Sequence, residues 1–205
     1  MLPGFSMQKE DKYYSKKQQN STRFQLIFMW LFVFAVYLPF FVFMLIRHDI
    51  CTTPISVIGW HVSLQYLILY IILTLPFCLY LLFFFNKYFI GNKKTINIAA
   101  VISAVFITVG ALIPLTGTEN MLLAHTIISV SSSIILMLII LFALILHAVK
   151  KKHKAAILFL YGIYIAALLI AFYILYTAAL FQLAATLSFF LILLFINTSK
   201  ALVKQ

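Results

Sequence analysis

Long apolar runs occupy residues 24–46, 62–85, 95–116, 121–149, 155–177 and 178–199, the first five separated by short polar stretches and the last two contiguous. Each is near the ~20 residues that an α-helix needs to cross a ~30 Å hydrocarbon core. In lipid, every backbone N–H and C=O must be satisfied inside its own segment, so runs this long and this uniformly apolar predict helices. The stretch from about 155 to 196 is too long for one span and suits two, with Tyr176, Thr177 and Ala178 as a tight turn between them. The predicted fold class is therefore all-α, a polytopic membrane protein of six transmembrane helices. A tail over 1–23 precedes the bundle of 24–199, and a tail over 200–205 follows it. Pro39 and Pro76 fall inside the first two runs, where each removes a backbone donor and invites a kink, and Pro114 marks the end of the third.

Charge orients this pattern. Fourteen of the 15 Lys and Arg residues lie on one side of it: Lys9, Lys12, Lys16, Lys17 and Arg23 before the first run, Lys87, Lys93 and Lys94 after the second, Lys150, Lys151, Lys152 and Lys154 after the fourth, Lys200 and Lys204 after the sixth. Arg47 alone falls on the other. The positive-inside rule then predicts cytoplasmic N and C termini, with the loops near 47–61, 117–120 and 177 facing out. Trp60, Tyr88 and Tyr176 fall near the predicted interfaces, where amphipathic rings anchor.

Composition excludes most soluble classes. With 65% apolar and 9% charged residues and a mean hydropathy of +1.12, no long segment could present a water-compatible surface. The net charge of +11 is scattered in juxtamembrane clusters suited to anionic headgroups, without the basic and aromatic groove that nucleic acid requires. The first apolar run is about twice the length of a signal-peptide h-region and lacks a small-residue cleavage site, so it is expected to stay in the membrane. Frequent Phe, Ile and Lys match the codon bias of an AT-rich bacterium, which points to a bacterial plasma membrane. Cys51 and Cys78 fall at different depths, and no disulfide between them is expected.

Polar side chains inside spans cost free energy unless they face the bundle interior, so their helical positions are the best guide to a site. His125, Ser129 and Ser132 recur at i, i+4 and i+7, with Ser133 beside them. His61 and Gln65 are one turn apart, and Gln182, Thr186 and Asn197 approximate one face. His61, Gln65, His125, Ser129, Ser132 and Gln182 are the candidate ligand-binding residues, forming an outward-facing polar pocket for a lipid, a small ligand or a membrane-protein partner. The competing reading is interhelical hydrogen bonding, worth roughly 0.6–2 kcal/mol per contact.

His48, Asp49, His61, Glu119 and His125 fall at similar depth and are the weak candidates for a metal, with zinc taking three of them and an open water position. Their spacing matches no metal motif. Haem held by His61 and His125 is a remoter option, with His147 lacking an evident partner for a second. Neither a nucleophile–base pair nor a glycine-rich phosphate loop is visible. All four acidic residues, Glu10, Asp11, Asp49 and Glu119, fall in predicted tails or loops, which disfavours an ion-coupled carrier with a midplane carboxylate.

The combination of Ile55-Ser56-Val57-Ile58-Gly59 before the second run with Ile113-Pro114 and then His125 resembles the Frag/DRAM/Sfk-like superfamily of six-helix membrane proteins and its bacterial relatives. Val57 departs from that pattern, which often carries an acidic residue there. The resemblance implies a six-helix bundle with both termini inside and no established enzymatic activity. The expectation is a small non-catalytic membrane protein; the alternatives are a metal-dependent hydrolase acting on lipid and a substrate-binding subunit of a transporter.

Overall fold

The structure is a computed structural model that describes residues 20–115, 118–151, 153–175 and 178–203, with side chains as far as residue 198. Among these residues the regular structure is helical throughout: α1 (Asn20–Arg47), α2 (Ile55–His61), α3 (Leu64–Ile90), α4 (Lys94–Leu112), α5 (Glu119–Val149), α6 (Lys154–Leu175) and α7 (Ala179–Val203). All but α2 are long and apolar enough to cross a membrane, so the chain is a six-span, multi-pass helical bundle. The turn expected at Tyr176 and Thr177, and most of the tail over 1–23, lie outside the described residues.

Among the boundaries that differ from the sequence reading, four have a local reason. Residues 47–61 are not a continuous loop, because α2 forms within them behind Pro54. Helix α4 stops at Leu112 rather than near 116, since Ile113 precedes Pro114 and takes the extended backbone (φ −69°, ψ 123°) that a pre-proline residue favours. Helix α5 starts at Glu119, whose carboxylate in the first turn suits the positive end of the helix dipole. Helix α3 runs past 85 into a wide π-turn over Asn86–Ile90, closed by Gly91 in the left-handed region (φ 95°).

That last turn is organised by Asn86, which is buried. Its Nδ2 donates to the Lys93 carbonyl (2.8 Å) and to Asn97 Oδ1 (2.7 Å), while its Oδ1 accepts the Lys93 N–H (3.0 Å). Lys150 Nζ donates to the Ile90 carbonyl (2.6 Å), so the turns following α3 and α5 meet at one end of the bundle, the basic end. At the opposite end, the N–H groups of Ala179 and Leu180 have no acceptor within their own helix; they donate to the carbonyls of Thr53 (2.9 Å) and Ile50 (2.8 Å).

The two prolines act differently. Pro39 cannot donate to the carbonyl one turn back, and α1 widens into a π-turn over Val33–Tyr37 just before it, whereas α3 stays helical through Pro76. The apolar core joins α1, α3 and α7. Phe190 meets Tyr37 (5.1 Å between centroids) and Phe77 (4.8 Å) edge-on, and Met29, Leu82, Phe85 and Leu194 are fully buried around them. Helices α4 and α5 pair through small residues at Gly110 and Ser129. Helix α6 stands apart, with no residue buried, held by Tyr161 against His147 (3.1 Å), Tyr164 against Ser188 (3.0 Å) and Phe172 against Phe181 (5.3 Å).

Candidate functional site

A cavity of about 260 Å³ lies among α3, α4, α5, α6 and α7, beneath α2. Helix α2 is fastened over it at three points. Trp60 Nε1 donates to the Ala111 carbonyl (3.2 Å), one of the carbonyls that the C-terminus of α4 leaves unpaired. Gln182 Oε1 accepts the Ile55 N–H (3.4 Å). Gly59 lets α2 lie against α3, where an added Cβ would come within 2.5 Å of Leu67 Cβ.

Polar atoms gather beneath α2, where Ser56, His125, Ser129 and Gln182 line the cavity; further in, the wall is mainly apolar, with Leu136, Ile140, Leu168 and Phe189. The described lining includes no Lys, Arg, Asp or Glu. His125 is buried and its Nδ1 lies 3.2 Å from the Ile113 carbonyl. A carbonyl only accepts, so Nδ1 carries the proton, and in the neutral ring Nε2 is left as an acceptor. Several hydroxyls spend their protons locally: Ser133 donates to the Ser129 carbonyl (2.7 Å), Thr186 to that of Gln182 (2.7 Å) and Thr74 to that of Tyr70 (2.6 Å). Ser188 donates to the Ala185 carbonyl (2.8 Å), so Tyr164 is the donor in its bond to Ser188. Ser129 Oγ is buried without a partner. To a guest these groups offer acceptors, with the Ser56 hydroxyl and the Gln182 amide nitrogen as donors.

The six sequence-predicted ligand residues separate into two groups. His125, Ser129 and Gln182 come together on the cavity, and Gln182 also caps α2. His61 and Gln65, at the junction of α2 and α3, are exposed and do not line it. Ser132 is buried but turns its hydroxyl back to the Ile128 carbonyl, and Ser133 takes the place on the wall that the stripe assigned to it. The α2 lid, absent from the sequence reading, is what moves His61 outward. Tyr70, Thr74 and Cys78 were missed, although their i, i+4, i+8 spacing is the signal that found the α5 residues.

The five candidate metal ligands do not converge, and among the described residues no three His, Cys, Asp or Glu side chains form a metal-holding group. His48 packs edge-on against Tyr66 (4.9 Å), Asp49 Oδ2 accepts from Thr52 (2.7 Å), and Glu119 is exposed at the start of α5. Trp60, expected as an interface anchor, is half-buried and holds the lid, while Tyr88 is exposed with Lys87 Nζ 5.2 Å from its ring centre. Both cysteines are free thiols, Cys51 exposed and Cys78 buried on the cavity wall.

No family model, no curated protein and no solved structure matches this chain.

Proposed function

We propose that the protein is a non-catalytic plasma-membrane protein, of bacterial origin, that binds a neutral amphiphile in the cavity beneath α2. The observation that carries this reading is the polarity of the wall: Ser56, His125 and Gln182 gathered at one end, mainly apolar side chains beyond, and no full charge among the described lining residues. An ionised headgroup would enter a low-dielectric site with no opposite charge to meet it, at a cost of several kcal/mol. A hydroxyl head loses far less and could donate to His125 Nε2. The positive-inside rule puts the basic end in the cytoplasm and the α2 end outside. The proposed kinship with the Frag/DRAM/Sfk-like superfamily rests in part on the α2 stretch, of which Ile55 and Ser56 line the cavity. Hydrolysis at a metal held by His61 and His125 has no support from the arrangement of these residues.

The test is photolabelling of the full-length protein in phosphatidylcholine nanodiscs with a long-chain alcohol carrying a diazirine, beside the matching carboxylate. The expected result is labelling of α5 and α7 peptides by the alcohol, at least tenfold weaker with the carboxylate and lost in Ala185→Trp, which fills the cavity. Equal labelling by both probes, or labelling unchanged by Ala185→Trp, would overturn the proposal.

A further inference from the structure

A second concavity, of about 580 Å³, opens at the basic end between the inner halves of α6 and α7 and the end of α5. Its volume falls within the ~300–1,000 Å³ of ligand pockets. One wall is an i, i+3, i+4, i+7 stripe of α6, Ile157, Leu160, Tyr161 and Tyr164; the other is α7, with Leu191, Ile192, Phe195 and Ile196. From Ile157 to Tyr164 the groove extends about 10 Å along the helix axis, roughly a third of the hydrocarbon thickness. Its rims, Leu160 and Phe195, are 62% and 69% exposed, so the groove opens to the surface of the bundle through apolar edges.

Lys151, with the His147–Tyr161 pair beside it, lines the groove at the end of α5. Its neighbour Lys150 is committed to the Ile90 carbonyl. Asp49 and Glu119, the two described carboxylates, belong to the opposite end of the bundle, while Lys87, Lys93, Lys94 and Lys154 share the basic end with Lys151. Among its described lining residues the groove thus joins one lysine to an apolar trough, and its charge is complemented by an anion that carries a hydrocarbon chain.

We infer that this groove holds one anionic phospholipid of the leaflet at the basic end, its phosphate against Lys151 and the upper part of an acyl chain between Leu160 and Phe195. The inference is independent of the cavity beneath α2 and differs from it in ligand charge. A zwitterionic lipid brings its own cation to the same place and gains less from Lys151. Basic residues near a membrane surface contribute about 1 kcal/mol each towards anionic lipid, which corresponds to about fivefold in retention.

Native mass spectrometry of the full-length protein with phosphatidylglycerol or phosphatidylcholine of identical chains tests this. The wild-type protein is expected to retain one phosphatidylglycerol at least fivefold more tightly than phosphatidylcholine. Lys151→Gln should remove that preference, whereas Lys87→Gln, at an exposed lysine outside the groove, should leave it within twofold. Ile192→Trp, which fills the trough without changing charge, should reduce retention of both lipids. Equal effects of Lys151→Gln and Lys87→Gln would mean diffuse attraction to the basic end and overturn the site. Retention unaffected by Ile192→Trp, or full displacement by glycerol 3-phosphate, would mean that the anion alone is held and overturn the lipid assignment.

Discussion

Two glycines inside spans should respond to the same substitution with opposite signs. At Gly110 an added Cβ would lie 2.5 Å from Ser129 Oγ, 3.0 Å from the Ser129 backbone nitrogen and 3.1 Å from Ile128 Cγ2. The hydroxyl can rotate away, but the backbone of α5 cannot, so α4 and α5 must separate. Overpacking of this kind costs about 1–3 kcal/mol. Alanine recovers up to ~1 kcal/mol of helix propensity over glycine, leaving Gly110→Ala destabilising by roughly 0–2 kcal/mol and Gly110→Val by more. At Gly162 a Cβ meets nothing within 4 Å, so only the propensity gain, up to ~1 kcal/mol, remains. Equilibrium unfolding of both variants in one detergent, from full-length protein, should place Gly162→Ala at or above the wild type and Gly110→Ala below it. Adding Ser129→Gly to Gly110→Ala removes the hydroxyl but not the backbone contact, and should restore only part of the loss. If Gly110→Ala proved as stable as Gly162→Ala, close approach at Gly110 would not be what holds α4 to α5.

Two further outcomes follow from the ends of the bundle. In intact cells Cys51, exposed between α1 and α2, should react with an impermeant maleimide, whereas a cysteine replacing Lys93 in a Cys51→Ser background should react only after permeabilisation; the reverse pattern would invert the topology. Asn86→Ala removes three hydrogen bonds from a buried turn and leaves the Lys93 N–H without its acceptor, so it should lower stability in the unfolding assay by about 1–3 kcal/mol, and a neutral result would show that solvent satisfies that turn.

The spans were legible because hydrophobic length is a one-dimensional property: a run of ~20 apolar residues needs no neighbour to declare itself. The helix ends were less so. Pro114 stops α4 two residues before itself by a local steric rule that sequence carries, yet the π-turn at Asn86 depends on Lys93 and Asn97, partners that only the folded turn brings to one side chain. Helix α2 was hidden for a similar reason. Seven residues are too few to form a stable helix alone, and this one rests on Leu67, Ala111 and Gln182 from three other elements. The α5 stripe led to His125 and Ser129 because the period of an α-helix places them together, but it did not separate Ser132 from Ser133, one of which back-bonds in a buried position while the other lines the cavity. His61 was placed by assuming that α3 began at 62; once α2 folds over the top, the same residue points away from the cavity wall.

These attachments also bear on how a guest would reach the cavity under the proposed function. The route from the α2 end is barred by the Trp60–Ala111 bond, the Gln182–Ile55 bond and the packing of Gly59 on Leu67, and the loop before α2 is itself held by the first N–H groups of α7. Lifting the lid would break two partly buried hydrogen bonds, each worth a net of about 0.5–1.5 kcal/mol, and lose the packing of Gly59 on Leu67. The side facing α6 is held differently. Tyr161, Tyr164 and Phe172 lie on one stripe of a helix that buries no residue, and Tyr164 borders both the cavity and the groove at the basic end. Displacing α6 breaks contacts of Tyr161, Tyr164 and Phe172 and uncovers half-buried side chains such as Ile165 and Leu168, but no fully buried residue. Under the proposed function, entry past α6 uncovers no fully buried residue of that helix, and a ligand dissolved in the bilayer, already at the right depth and with its apolar chain already in hydrocarbon, is the kind of guest that such a side would admit.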